Sequence, residues 1–267
     1  MGSIQQEIAV LKSAYRVSLL SMFAAVPWWL WLLQLITIGL TQMLYFVLMT
    51  GVAGGTTLSI SEVALGNALQ AVTYSTVFAV CSIPGDEKHS ATLPLLMNTP
   101  TKLHSVIIGK SLFHIAAGMM TVVVSLAFAA LVFGVSFARV DVLSLTMVVL
   151  VTTYAMTGFG LMLSSIGIYL RSSILLASFF LYIGLIFCGV NFPVSQLPSF
   201  LQPISAVLPM TYGVHSLRMA IEGAAVIEIV QDLAMMLVIG SIMLIVGLLM
   251  LRLFERLARV KGSLEMF

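Results

Sequence analysis

The run in this chain that most resembles chemistry is Gly109-Lys110-Ser111. A glycine followed by a lysine and a hydroxyl forms the second half of a phosphate-binding loop, where backbone amides cradle phosphate and the lysine reaches its outer oxygens. The first glycine of that loop would fall at position 104, which is His104, and the run abuts an apolar stretch. The pattern therefore fails, and what remains is a helix start with an interfacial lysine. Of the four histidines, His89 and His104 fall in one polar loop, His114 enters an apolar stretch and His215 stands far along the chain. No pair has the i, i+4 spacing of a helical metal site. Glu62, Asp141 and Asp232 flank apolar runs and do not interrupt them, so the facing ionisable groups of an intramembrane hydrolase are missing from the pattern. The expectation is of no catalytic residue, no metal and no cofactor in this chain.

The elements that position these residues follow from composition. A chain that is 60% hydrophobic and 8% charged cannot cover a water-facing globule, so lipid is its main solvent. Crossing the hydrocarbon takes roughly 20 apolar residues. No Asp, Glu, Lys or Arg occurs between Arg16 and Glu62, Glu62 and Asp86, Lys110 and Arg139, Asp141 and Arg171, Arg171 and Arg218, or Asp232 and Arg252. The Arg171 to Arg218 run is too long for one helix, and Pro193, Pro198, Pro203 and Pro209 break its second half. Six spans are expected, at about 27–50, 62–83, 108–136, 142–169, 172–190 and 231–253, in one membrane domain covering residues 1–267. The fold class is an all-α integral membrane protein.

Positive residues in short loops stay on the cytoplasmic side. With both termini inside, Lys12, Arg16, Lys88, Lys102, Lys110, Arg171, Arg252, Arg256, Arg259 and Lys261 face the cytoplasm, and only Arg139 and Arg218 lie outside. The net charge of +2 is thus topological and does not indicate nucleic acid. The N-terminal stretch is longer than a signal core and has no clear small-x-small cleavage site, so it is read as retained. In it Ile4, Ile8, Leu11, Tyr15 and Leu19 recur at helical spacing, with Gln5, Lys12 and Arg16 on other faces. That suits a helix lying in the headgroup layer; an ordinary flexible leader is the alternative. Cys81 and Cys188 are expected at opposite membrane faces, as buried hydrophobes and not a disulfide.

Two segments outside the spans are unusual. From Ser82 to Leu103 the charges Asp86, Glu87, Lys88, His89 and Lys102 enclose Ala91, Leu93, Leu95 and Leu96, interleaved with Thr92 and Pro94, which fits a short amphipathic helix offered to a soluble partner. After the fifth span comes FPVSQLPSFLQPISAVLPMTYGVHSLR.

Together these residues resemble the membrane subunits of type-2 ABC exporters, which include drug, polysaccharide and antimicrobial-peptide exporters. The first segment is similar to the family's pattern of an acidic residue, a threonine-leucine pair, further leucines, a threonine-proline pair and a glycine-lysine, here Glu87, Thr92-Leu93, Leu95-Leu96, Thr99-Pro100 and Gly109-Lys110. The second resembles the short proline-containing helices that dip back into the outer membrane. Many relatives carry glycine where this chain has Ala91.

The resemblance implies a multi-pass permease in the cell membrane, not itself an enzyme. It would be paired with a second, identical or homologous permease subunit and with cytoplasmic ABC ATPase subunits that bind ATP and Mg. It implies coupling to the ATPase through Glu87, Lys88, Thr92, Leu93 and Leu96, although Leu93 and Leu96 could instead pack on the chain's own bundle. It implies a substrate path between the permeases, with Gln34, Thr41, Asn67, Gln70, Tyr74, Phe179, Tyr182 and Phe187 as candidates, and an outer gate at Phe192, Pro193, Pro198, Pro209 and Tyr212. Asn67, Gln70 and Tyr74 share one helical stripe, though polar residues in spans also serve helix packing. No charge sits deep in the spans, which favours a hydrophobic or amphipathic cargo such as a drug, lipid or peptide. Polysaccharide or glycolipid export is the alternative, with a secondary transporter or a sensory membrane subunit behind it.

Overall fold

The computed structural model describes residues 3–53, 58–90, 92, 95, 96, 99, 101–170 and 173–261. Among the described residues all regular structure is helical, as a chain bathed in lipid requires if each amide is to be satisfied within its own segment. Helix α1 spans Ser3–Ala25, α2 Trp28–Ala53, α3 Ile60–Gln70 and α4 Ala79–His89, with a π-helical segment, Thr73–Phe78, between α3 and α4. They are followed by α5 (Leu103–Phe133), α6 (Val142–Leu170) and α7 (Ser173–Phe187). A 3-10 turn at Val194–Gln196 then leads to α8 (Gln202–Val207), α9 (Pro209–Glu222) and α10 (Val226–Lys261).

Among the described residues, five stretches are long and apolar enough to cross a membrane: Trp28–Val52, Ile60–Glu87, Leu103–Phe133, Val142–Ile166 and Val226–Leu257. The expected fifth span differs. Helix α7 has 15 residues, about 22 Å at 1.5 Å per residue, against a hydrocarbon core of about 30 Å. It stops because Gly189 takes a left-handed φ of 71° and because the Gly189 and Val190 carbonyls accept hydrogen bonds from Arg218. The third span's helix starts at Leu103, ahead of the expected 108, since the Leu103 N–H finds the Glu255 carboxylate at 3.2 Å. The expected short helix between Ser82 and Leu103 is replaced at its start by α4, which carries through Pro84 to His89. Beyond it, Leu95 and Leu96 are themselves helical.

Capping explains two flanking acids. Ser59 and Glu62 form a capping box at α3: Glu62 donates its N–H to the Ser59 hydroxyl, and the Glu62 carboxylate accepts from the Ser59 N–H at 2.8 Å. Asp141 precedes α6 and accepts from the Ser144 N–H at 3.1 Å and from its hydroxyl at 2.5 Å.

The core runs along α3, the π-helical segment, α6 and α10. Every residue from Val63 to Gln70 is buried. Helices α6 and α10 touch backbone to backbone: a Cβ at Gly158 would stand 2.5 Å from the Gly240 carbonyl oxygen, and one at Gly247 would stand 2.8 Å from the Met162 nitrogen. Small residues permit this approach, and the Ser165 hydroxyl closes it by donating to the Gly247 carbonyl at 2.8 Å. Both terminal helices meet at the end of the bundle that holds the 82–103 loop, α1 through Glu7 to Lys102 at 2.5 Å and α10 through Glu255 to Leu103. The 188–225 segment occupies the opposite end, where Arg218 reaches the start of α3.

Candidate functional site

The loop end is organised around Glu87. Its side chain is buried, accepting from the Thr92 hydroxyl on one oxygen and pairing with the Lys110 ammonium on the other. The Thr92 N–H and hydroxyl also donate to the Glu87 carbonyl, at 3.0 and 3.1 Å. Thr92 therefore ties the loop to the end of α4, and Lys110 ties both to α5. The neighbouring Gly109 serves helix packing. A Cβ there would lie 2.7 Å from the Ala14 Cβ and 2.8 Å from the Leu11 carbonyl oxygen, so only glycine lets α1 lie against α5. Ser111 turns back to the Ile107 carbonyl at 2.8 Å, and the whole Gly-Lys-Ser run is helix interior. Beyond Thr92, Leu96 packs against a satellite apolar cluster of Val80, Ile83, Leu103, Ile107, Leu161, Leu251 and Phe254. Leu95 points outward, 66% exposed. Leu93 lies outside the described residues, as does the side chain of Lys88.

Between α1, α2, the α3 to α4 helix, the loop and α5 lies a cavity of about 910 Å³. Gln34 and Tyr74 stand on its wall, together with Asp86, Glu87, Thr92 and Leu96. Two groups of residues expected to act apart, in coupling and in the path, thus border one space. Tyr74 stacks on Phe78 with ring centroids 5.4 Å apart.

The remaining path candidates divide. Asn67 and Gln70 are buried inside the chain. Asn67 donates to the Asn191 side chain at 2.8 Å and accepts from Gln42 at 3.3 Å, while Gln70 reaches the Leu181 carbonyl at 3.5 Å and fits over Gly184. They join α2, α3, α7 and the segment after it. Thr41 is exposed on α2. On α7, Phe179 and Tyr182 are each 62% exposed and continue a stripe from Leu175 to Ile186, whereas Phe187 packs inward on the core.

At the opposite end, Phe192 and Pro193 lead into the 3-10 turn, Pro198 is exposed, and Pro209 opens α9 as its first residue, where a missing N–H costs nothing. The Tyr212 hydroxyl donates to the Ala206 carbonyl at 3.0 Å. Arg218, which the sequence pattern marks only as an outward charge, is a clamp, donating from Nη2 to the Glu62, Gly189 and Val190 carbonyls at 3.0, 2.9 and 3.2 Å. The one sequence feature pointing to it is its place as the first charge after the longest proline-rich run. Nearby, His215 Nδ1 lies 2.6 Å from the Asp232 carboxylate. No cluster of three or more His, Cys, Asp or Glu that could hold a metal occurs among the described residues.

Two carboxyl groups outside the spans have displaced titrations. The Lys102 ammonium, by hydrogen bond first and charge second, holds the Glu7 carboxyl below its usual range. The Ser144 hydroxyl and amide do the same for Asp141.

Apolar helices long enough to cross the bilayer, with a polar loop lashed to them, fit a multi-pass membrane protein. Residues 23–221 match the family model described as ABC-2 type transporter, and the chain belongs to that family. It is accordingly the membrane component of an ABC transporter and not its ATPase, and an ABC ATPase is its partner. No curated protein matches the chain.

Proposed function

We propose that this chain is the membrane-spanning half of an ATP-driven exporter. It crosses the membrane six times with both termini cytoplasmic and pairs with a second permease, identical or homologous, to form a path for hydrophobic or amphipathic cargo. Separate cytoplasmic subunits bind ATP and Mg and supply the work. The observation that carries this reading is the Glu87, Thr92 and Lys110 tether. It fixes the 82–103 loop to α5 while leaving Leu95 exposed for a partner, as a segment that passes force from a soluble subunit to the spans would need. Glu87 and Thr92 then act as positioning residues, Leu96 anchors the loop to the bundle, and Lys88 and Leu93 remain candidates for direct docking. In the path, Gln34, Thr41, Tyr74, Phe179 and Tyr182 are placed to meet cargo, while Asn67 and Gln70 set the helix positions behind them. The 188–225 segment serves as the outer gate. Short as it is, α7 makes the fifth of the six crossings together with the irregular residues up to Val190, which are buried.

The test is copurification of the tagged chain from its native host in mild detergent, with mass spectrometry and an ATPase assay. Recovery of a soluble ATPase whose hydrolysis responds to Glu87→Ala is expected. Recovery of the permease alone, under conditions that preserve known complexes, would sink the exporter reading.

A further inference from the structure

The cavity at the loop end has a charge pattern that its role in coupling does not use. Among the described residues, three ionised side chains border it: Asp86, Glu87 and Lys110. Glu87 and Lys110 neutralise each other. Asp86 does not share in that pair; its carboxylate accepts the Ser82 hydroxyl at 2.9 Å and is otherwise open at the cavity mouth. Among the described side chains, the space thus has one negative charge, that of Asp86, without a countercharge. Away from the loop the wall becomes aromatic and aliphatic, with Trp31, Leu35, Ile38 and Tyr74. Along α5 the lining runs from Val106 to Thr121, about 22 Å at 1.5 Å per residue. That is long enough for an extended amphiphile, and the volume lies in the range of drug-sized sites. The mouth is bordered by α1, whose serines Ser13, Ser18 and Ser21 face the same space.

We infer that this cavity, within a single copy of the chain, binds an amphipathic monocation, with its charged head at Asp86 and its apolar body against Trp31 and Tyr74. The inference rests on the exporter reading for its purpose, since an amphiphile held here would be cargo taken from the inner leaflet. The geometry of the site stands without it. The charge sets the preference: an opposite charge near a partly exposed carboxylate gains from the reduced dielectric at the cavity mouth, and an anion of the same shape is repelled. Trp31 and Tyr74 offer aromatic surface to the apolar body.

The experiment uses the full chain, copurified with its partner subunits and placed in nanodiscs of neutral phospholipid. Equilibrium binding of dodecyltrimethylammonium, below its micelle-forming concentration, is compared with that of dodecyl sulfate, which has the same chain and an anionic head, with empty nanodiscs subtracted for each. Saturable binding of the cation alone is expected, weakened about tenfold by Asp86→Asn, retained by Asp86→Glu and abolished by Gln34→Trp, which fills the space without altering charge. Equal binding of both ions, or cation binding unchanged in Asp86→Asn and Gln34→Trp, would overturn the site. ATP hydrolysis by the same preparations is read separately. A complex that hydrolyses ATP but binds both ions alike loses the site and keeps the exporter, and one that binds the cation through Asp86 without any ATPase keeps the site and loses the exporter.

Discussion

The two ends of the bundle are held together by different chemistry. At the loop end, elements are joined through charged side chains: Glu7 with Lys102, Glu87 with Lys110, and the Glu255 carboxylate with the Leu103 backbone amide, His104 Nδ1 lying 3.7 Å from the same carboxylate. At the opposite end, one guanidinium grips three main-chain carbonyls, and the helices start from the Ser59 and Asp141 caps. A side chain can exchange one carboxylate for another with a small rotation, whereas a clamp on carbonyls fixes the backbone itself. The loop end is thus joined through charged side chains, and the far end by a clamp on the main chain that holds the start of α3 against the residues that end α7.

The comparison breaks most visibly at Arg218. Arg218→Ala leaves three inward-facing carbonyls without their donor, a loss of about 3 kcal/mol. The expected result is a large fall in melting temperature in detergent, with new proteolytic cleavage between Gly189 and Leu201. Arg218→Lys should recover only part of it, because an ammonium lacks the planar fork. A variant as stable as the parent would mean that the prolines alone hold this segment.

Glu87 and Lys110 give the next largest effect, of a different kind. In a double-mutant cycle of Glu87→Gln and Lys110→Met, each single change leaves a largely buried charge unpaired, and the double change removes both. A coupling of about 1–2 kcal/mol is expected in thermal stability, less than the Arg218 loss. All three variants should still bind the ATPase subunit but lose stimulation of hydrolysis by cargo. Loss of assembly, with hydrolysis intact in whatever complex forms, would instead make Glu87 part of the docking surface.

How much of this is legible without the fold follows from what a sequence pattern encodes. Charge-free runs mark the spans because lipid excludes charge at any position, so α2, α5, α6 and α10 are readable from composition alone. The end of α7 is not, since it depends on Gly189 taking a left-handed turn and on Arg218 arriving from 29 residues away. The Asn67, Gln70 and Tyr74 stripe is legible as a stripe, but periodicity says which residues share a face and not what that face meets. Two of them turn to the chain's own Asn191 and Leu181 while Tyr74 reaches the cavity. Likewise Gly109-Lys110 can be seen as a motif, but its purpose appears only where α1 and Glu87 come against it from elsewhere in the chain.

The smallest effect separates the two ends by salt. Glu7 and Asp141 both have carboxyl groups held below their usual range, the first by Lys102 and the second by Ser144. For a lowered folded-state pKa, the stabilisation is present above the unfolded value, about 4 for these side chains, and is lost as pH falls through the folded one. Both links should therefore be intact at neutral pH and fail only in acid below about pH 4. Ionic strength then distinguishes them. Glu7 and Lys102 are exposed and oppositely charged, so their link should fade as salt shortens the screening length, whereas the Asp141 cap rests on neutral donors at short range and should persist. Acid unfolding followed at low and high salt is expected to show Glu7→Gln indistinguishable from the parent in high salt, while Asp141→Ala, which removes the cap, remains less stable in both. Equal salt sensitivity of the two variants would mean that the ends differ in which residues join them but not in the kind of force.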